Sequence, residues 1–235
     1  MKDCADGGNV DAMTFLGLAN FEGFGIKKSP SEAFGWYSKA AEQGSLDAQC
    51  SLGSMYLHGI GVEQSDTEAL RLYSSAAEKG YARAQYNIGW MHYYGRGVKQ
   101  SYDDAVRWYR MAADQGFPPA LSNLGVAYQK GEGAPKSDEE AARLYRMAAD
   151  QGYHIALCNL GTMYFYGRGV QKSEEEAVRL WRLAAEEGHS DSQYNMGWAY
   201  QKGNGVEKSK PMAREWYTKT ADQGHEKARR MLRLL

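Results

Sequence analysis

The chain has 235 residues, 43% of them hydrophobic and 12% aromatic, which excludes a disordered polymer. Its 28 basic and 29 acidic residues leave a net charge of −1, so no basic excess points to a nucleic-acid backbone. No apolar run approaches the roughly 18 residues of a membrane-spanning helix, and no membrane insertion is expected.

Met1 to Gly8 is polar and acidic and lacks the apolar stretch of a secretory signal. The string Cys4-Ala5-Asp6-Gly7-Gly8 resembles Ala40-Ala41-Glu42-Gln43-Gly44, which recurs with small changes every 36 residues up to Thr220–Gly224. Segment 1–8 is therefore read as the end of a preceding repeat or as an N-terminal cap. Six units of 36 residues follow without insertion or deletion: 9–44, 45–80, 81–116, 117–152, 153–188 and 189–224. Glycine stands at the ninth, fifteenth, seventeenth and last positions of every unit, which accounts for 24 of the 27 glycines. Glycine here is punctuation.

Each unit predicts two helices. The first covers about 13 residues, for example Ala82 to Tyr94, with a core stripe expected at the fourth, eighth and twelfth positions (Ala48, Leu52, Tyr56; Ala156, Leu160, Tyr164). A Gly-x-Gly-Val turn follows, as at Gly97 and Val98. The second helix starts at a serine in all six units: Ser29, Ser65, Ser101, Ser137, Ser173 and Ser209. Three residues later stand Glu32, Glu68, Asp104, Glu140 and Glu176, with Met212 the exception, so a reciprocal capping box is expected. Inside this helix lie Ala69, Leu72, Tyr73, Ala76 and Ala77 and their equivalents, with tryptophan at Trp36, Trp108, Trp181 and Trp216. His225 to Leu235 opens a seventh first helix, with Ala228 and Leu232 at core positions. Arg233 stands where the close-packing glycine belongs, so a capping helix is expected over 225–235.

A two-helix unit cannot bury its apolar face alone, so the units must stack. The expected fold is all-α: a right-handed α/α superhelical solenoid of six 36-residue helix-turn-helix repeats with a C-terminal capping helix. The pattern Ala-x-x-x-Leu-Gly-x-x-Tyr-x-x-Gly-x-Gly-Val, then Ala-x-x-Trp/Leu-Tyr-x-x-Ala-Ala-x-x-Gly, resembles the Sel-one-like repeat family, a relative of the tetratricopeptide repeats. The resemblance covers 216 of 235 residues. Asn20 and His92 depart from its tyrosine, Ala134 from its valine and Thr220 from its alanine. What the resemblance implies is an adaptor that assembles protein complexes; the fold alone fixes no function.

Catalytic and metal chemistry find little support. The histidines, His58, His92, His154, His189 and His225, occupy four different repeat positions, and no His-x-x-x-His or Cys-x-x-Cys pair occurs. Cys4, Cys50 and Cys158 are too few for a disulfide framework, and Cys50 and Cys158 read as buried thiols in a cytoplasmic or other reducing intracellular compartment. No cofactor, metal, catalytic residue or small-molecule substrate is expected. The second-helix charges pair on paper at i,i+4 (Arg110–Asp114, Arg146–Asp150, Arg182–Glu186; Asp103–Arg107, Glu139–Arg143, Glu175–Arg179), which suits a solvated wall.

The first helix has a second face, formed by its third, sixth, seventh, tenth, thirteenth and fourteenth positions. The candidate partner-binding residues on this expected concave wall are Tyr86, Asn87, Trp90 and Tyr94; Asn123; Asn159 and Tyr166; and Tyr194, Asn195 and Trp198. Aromatic clusters outside the core favour partner binding. The seventh-position asparagines offer donors and an acceptor to the backbone of an extended segment. Two structural alternatives stay open: the asparagines bond the adjacent unit, and the thirteenth-position residues Phe21, Leu57, Tyr93 and Phe165 pack between units. The expected function is a non-enzymatic scaffold for a protein or peptide. The alternatives are a structural subunit of a larger stable assembly and, more weakly, an enzyme or glycan-handling protein.

Overall fold

The computed structural model describes residues 2–235. The described residues form fourteen helices: α1 (Lys2–Asp6), α2 (Val10–Glu22), α3 (Pro30–Glu42), α4 (Leu46–His58), α5 (Asp66–Glu78), α6 (Ala82–Tyr94), α7 (Tyr102–Ala113), α8 (Pro118–Lys130), α9 (Asp138–Ala149), α10 (His154–Tyr166), α11 (Glu174–Glu186), α12 (Ser190–Lys202), α13 (Lys210–Asp222) and α14 (Glu226–Leu232). They divide into two compact units, one ending at Gln115 and the other spanning Gly116–Leu235. In the first, α1 to α7 pack in chain order around cores built on Tyr37 and Tyr73. In the second, α8 to α14 do the same around Trp181 and Tyr217.

Each repeat is locked by its ninth-position glycine. A Cβ built on Gly53 would stand 2.5 Å from the Tyr73 ring, and one on Gly197 would stand 2.7 Å from that of Tyr217. The second helix thus lays an aromatic ring flat on the backbone of the first. Tyrosine fills this place in five repeats and Trp181 in the fifth repeat of the chain.

The buried stripe of the first helix differs from the expected one. The fourth position is buried in every repeat and the eighth in five, as at Ala48 and Leu52, but the twelfth (Tyr56, Tyr164) is half-buried in five and buried at Asn20. Met55, Met91 and Met163, at the eleventh position, are 1% exposed or less. At about 100° per residue the eleventh position lies about 20° from the fourth, the twelfth about 80°. The fifth position is also inside, and there a polar residue is tied down: Gln193 donates from Nε2 to the Ala185 carbonyl at 3.1 Å.

All six serines cap their helices, with Oγ accepting the amide three residues on at 3.1–3.4 Å. The reciprocal half of the capping box is not made. Each serine amide donates instead to the twelfth-position carbonyl of the preceding helix, as Ser173 does to Tyr164 at 3.0 Å. The released acids pair one turn onward at i,i+3, not at the expected i,i+4: Arg107–Asp104 at 2.9 Å, Arg143–Glu140 at 3.0 Å and Arg179–Glu176 at 2.7 Å. Arg146 and Arg182 reach the next repeat, where they donate to the hydroxyls of Tyr164 (2.7 Å) and Tyr200 (3.3 Å).

At the ends, α1 buries Ala5 against the first repeat, as the last turn of a second helix would. The seven-residue α14 buries Ala228 and lays Met231 and Leu232 against the last core cluster, which includes Ala213, Tyr217 and Ala221.

Candidate functional site

In the first unit, α2, α4 and α6 present a small cleft of about 130 Å3 lined by Leu18, Phe21, Glu22, Ser51, Ser54 and Arg83, with Tyr37 behind. These first-helix residues occupy the third, seventh, tenth, thirteenth and fourteenth positions, the face singled out from the sequence. Ser51 hydrogen-bonds Tyr37, whose hydroxyl is nonetheless pushed up by burial. Glu22 and Arg83 give the cleft both signs of charge.

The candidate residues on α6 divide into two groups. Tyr86 is half-buried and packs on Tyr109, with centroids 5.8 Å apart, so part of its ring serves its own repeat. Trp90 is half-buried against the core of the second and third repeats. It also contacts Tyr94 at 4.7 Å, and Tyr94 is 57% exposed. Asn87 is half-buried and makes no side-chain hydrogen bond among the described residues.

In the second unit, Asn123, Asn159 and Asn195 occupy the same helical position on α8, α10 and α12, and all three are half-buried. Asn195 donates to the Cys158 thiol at 3.7 Å, which fulfils the adjacent-repeat reading for that residue. Asn123 and Asn159 make no such bond, and their amides stay available. Tyr166, at the end of α10, is 59% exposed and carries Arg168 over its ring at 5.0 Å. Tyr194 is held between Tyr217 (5.5 Å) and the stacked His225 ring (4.9 Å). Trp198 is half-buried and meets Phe165 edge-on at 5.0 Å. Phe165 and Leu57, both thirteenth-position residues, pack against the neighbouring repeat.

The two inner cysteines are poor nucleophiles. Burial pushes the Cys50 thiol up to about 12 and the Cys158 thiol to about 11. Among the described residues no helix is long and apolar enough to cross a membrane.

The sequence reading missed the chemistry at the start of α12, the helix that carries Tyr194, Asn195 and Trp198. His189 is its N-cap, and its Nδ1 accepts the Ser192 amide at 3.3 Å. Asn9 and Ser45 hold this position in earlier repeats, and that shared role was the signal available. Burial holds His189 below the usual imidazole range, opposed by Asp191 and assisted by the facing His154 ring at 5.2 Å. A depressed folded-state value means that the unfolded chain binds the proton more readily. The cap therefore stabilises above about pH 6.5 and is lost as pH falls through the folded value. His189→Asn is expected to keep the cap and flatten the pH dependence of stability between about pH 7 and pH 5. Urea melts at several pH values check this; an unchanged slope would refute it.

The Sel1 repeat family matches residues 10–45, 46–81, 82–117, 118–153, 154–189 and 190–225, one residue beyond the units read from the sequence. Comparison with curated proteins finds no match. Among solved structures, a protective antigen present in uropathogenic Escherichia coli strains and displaying an SLR fold is 34% identical, with a TM-score of 0.80. That alignment covers 98% of this chain and 50% of the antigen, so the chain spans half the antigen's length. A Sel1 repeat protein from Oxalobacter formigenes is 30% identical over 91% of this chain and 85% of its own, with a TM-score of 0.81. Immunity protein Pa5087 from Pseudomonas aeruginosa, 24% identical with a TM-score of 0.64 over 91% of this chain and 81% of its own, shares the fold. Sel1 repeat proteins generally mediate protein–protein interaction, on a fold that is typically a non-catalytic scaffold. Six matched repeats, the glycine-on-aromatic lock in each and the two 30–34% identical structures place this chain in the Sel1 repeat family, as an all-α repeat solenoid.

Proposed function

We propose that the chain is a non-enzymatic adaptor that holds a partner protein or extended peptide on its first-helix wall. The observation that carries this reading is the pair Asn123 and Asn159. Two half-buried amides at the same repeat position form no side-chain hydrogen bonds, and Tyr166 stands 59% exposed on one of their helices. A primary amide donates and accepts at once, which matches the alternating N–H and C=O of an extended backbone. Tyr166 supplies apolar area at low entropic cost. Trp198 reinforces the wall from behind, since it packs against Phe165 of the preceding repeat.

The test begins with a pull-down on the intact chain and mass spectrometry to identify the partner. Affinity is then measured for Asn159→Ala and Tyr166→Ala. Each is expected to weaken binding about tenfold, the cost of a contact residue near the centre of an interface. Stability should change by no more than about 0.5 kcal/mol, as at other surface positions. Unchanged affinity in both variants would refute the first-helix wall as the binding face.

A further inference from the structure

The opposite side of the first unit carries a second cleft, of about 280 Å3, between α3 and α5 over α4. Ser38, Glu42, Gln49, Tyr56 and Ser75 are among its lining residues. The repeats themselves show what belongs there. In the second unit, the residue equivalent to Ser38 is Arg146 or Arg182, and its guanidinium donates to the twelfth-position hydroxyl of the next repeat, Tyr164 or Tyr200. Ser38 is too short to do this. Among the described residues the Tyr56 hydroxyl makes no hydrogen bond and Glu42 forms no ion pair.

The floor of the cleft is also short of a donor. Gln49 is 7% exposed, donates to the Ala41 carbonyl at 3.4 Å, and leaves its buried Oε1 without a partner. The equivalent oxygens of Gln85 and Gln193 accept from Gln115 (2.8 Å) and Gln223 (2.9 Å). Lys79 stands in that place in the second repeat. A carboxylate, a free phenol and an unsatisfied amide oxygen line one cleft. Among the residues that line the cleft the cation is Arg71, which is already bridged to Glu68 at 2.9 Å.

We infer that this cleft receives an arginine side chain from a partner protein, which restores in trans the Arg–Tyr bond that later repeats make in cis. The surface is separate from the first-helix wall, so the two readings stand or fall independently.

The probe is the blocked tripeptide acetyl-Gly-Arg-Gly-amide, with citrulline in place of arginine as the uncharged control, titrated at millimolar concentration against the intact 15N-labelled chain. The arginine peptide is expected to shift the amide signals of Glu42, Tyr56 and Ser75 saturably, and the citrulline peptide to leave them unmoved. Tyr56→Phe keeps the ring and its packing and should weaken binding about tenfold, the worth of a hydrogen bond to a charged group. Ser38→Arg should abolish binding by filling the cleft from within. Asn159→Ala should bind the peptide as the parent does. Equal shifts from the citrulline peptide, no localised shift, or undiminished binding to Tyr56→Phe would overturn the assignment, and Tyr56→Phe decides it even if Ser38→Arg fails to fold.

Discussion

Gly169→Ala is expected to lower the unfolding free energy by about 3 kcal/mol, combining the usual left-handed backbone penalty with that of an overpacked contact. Gly169 is the seventeenth residue of its repeat, with φ +62°, and a Cβ there would stand 2.2 Å from the Asp138 carbonyl oxygen and 2.6 Å from the Glu139 amide nitrogen. Those atoms form the first turn of α9, one repeat earlier. They are backbone in a capped helix and cannot swing aside as a side-chain tip could. Gly152→Ala is the control: φ is +78°, but nothing lies within 4 Å, so only the conformational cost of about 1–2 kcal/mol applies. Urea unfolding of both variants, followed by circular dichroism and tryptophan fluorescence, measures the difference. Equal losses would show that the turn glycines serve local backbone geometry alone and not repeat-to-repeat contact.

Trp181→Ala is expected to cost about 3–5 kcal/mol, the range for truncating a large buried aromatic. Trp181 is 3% exposed, lies on Gly161 with Phe165 at 5.6 Å, and donates from Nε1 to the Cys158 carbonyl at 3.2 Å. That carbonyl also accepts from the Thr162 hydroxyl at 2.9 Å, so removing the indole leaves no orphaned acceptor. The loss is therefore one of volume and contact. Trp181→Tyr restores the ring that the other five repeats lay on their glycine, and should cost less than about 1.5 kcal/mol. If the tyrosine variant were as unstable as the alanine one, the shared lock would not be the reason for the aromatic.

Helix positions were legible because their signals are local. A serine before the first turn and a glycine after the last place each boundary without reference to the rest of the chain, and Ala82–Tyr94 emerges as read. The side-chain partners were not legible. The Ser173 amide could equally have bonded Glu176, and chooses the Tyr164 carbonyl only because the preceding turn brings α10 back against α11. Arg146 had an i,i+4 acid in sequence and took the Tyr164 hydroxyl in space. Within the candidate face the sequence did not distinguish Tyr166, which is exposed, from Tyr194, which is sandwiched between Tyr217 and His225.

The 36-residue period, the helix pairs and the glycine placement are determined by the sequence alone, because turn chemistry, capping and helical spacing act over a few residues. Which of two faces is buried deepest, which arginines cross to the next repeat, and where Ser38 leaves room beside Tyr56 are decided by tertiary packing. Those outcomes depend on residues about 10 to 40 positions apart, brought together only when each helix pair closes on its neighbour.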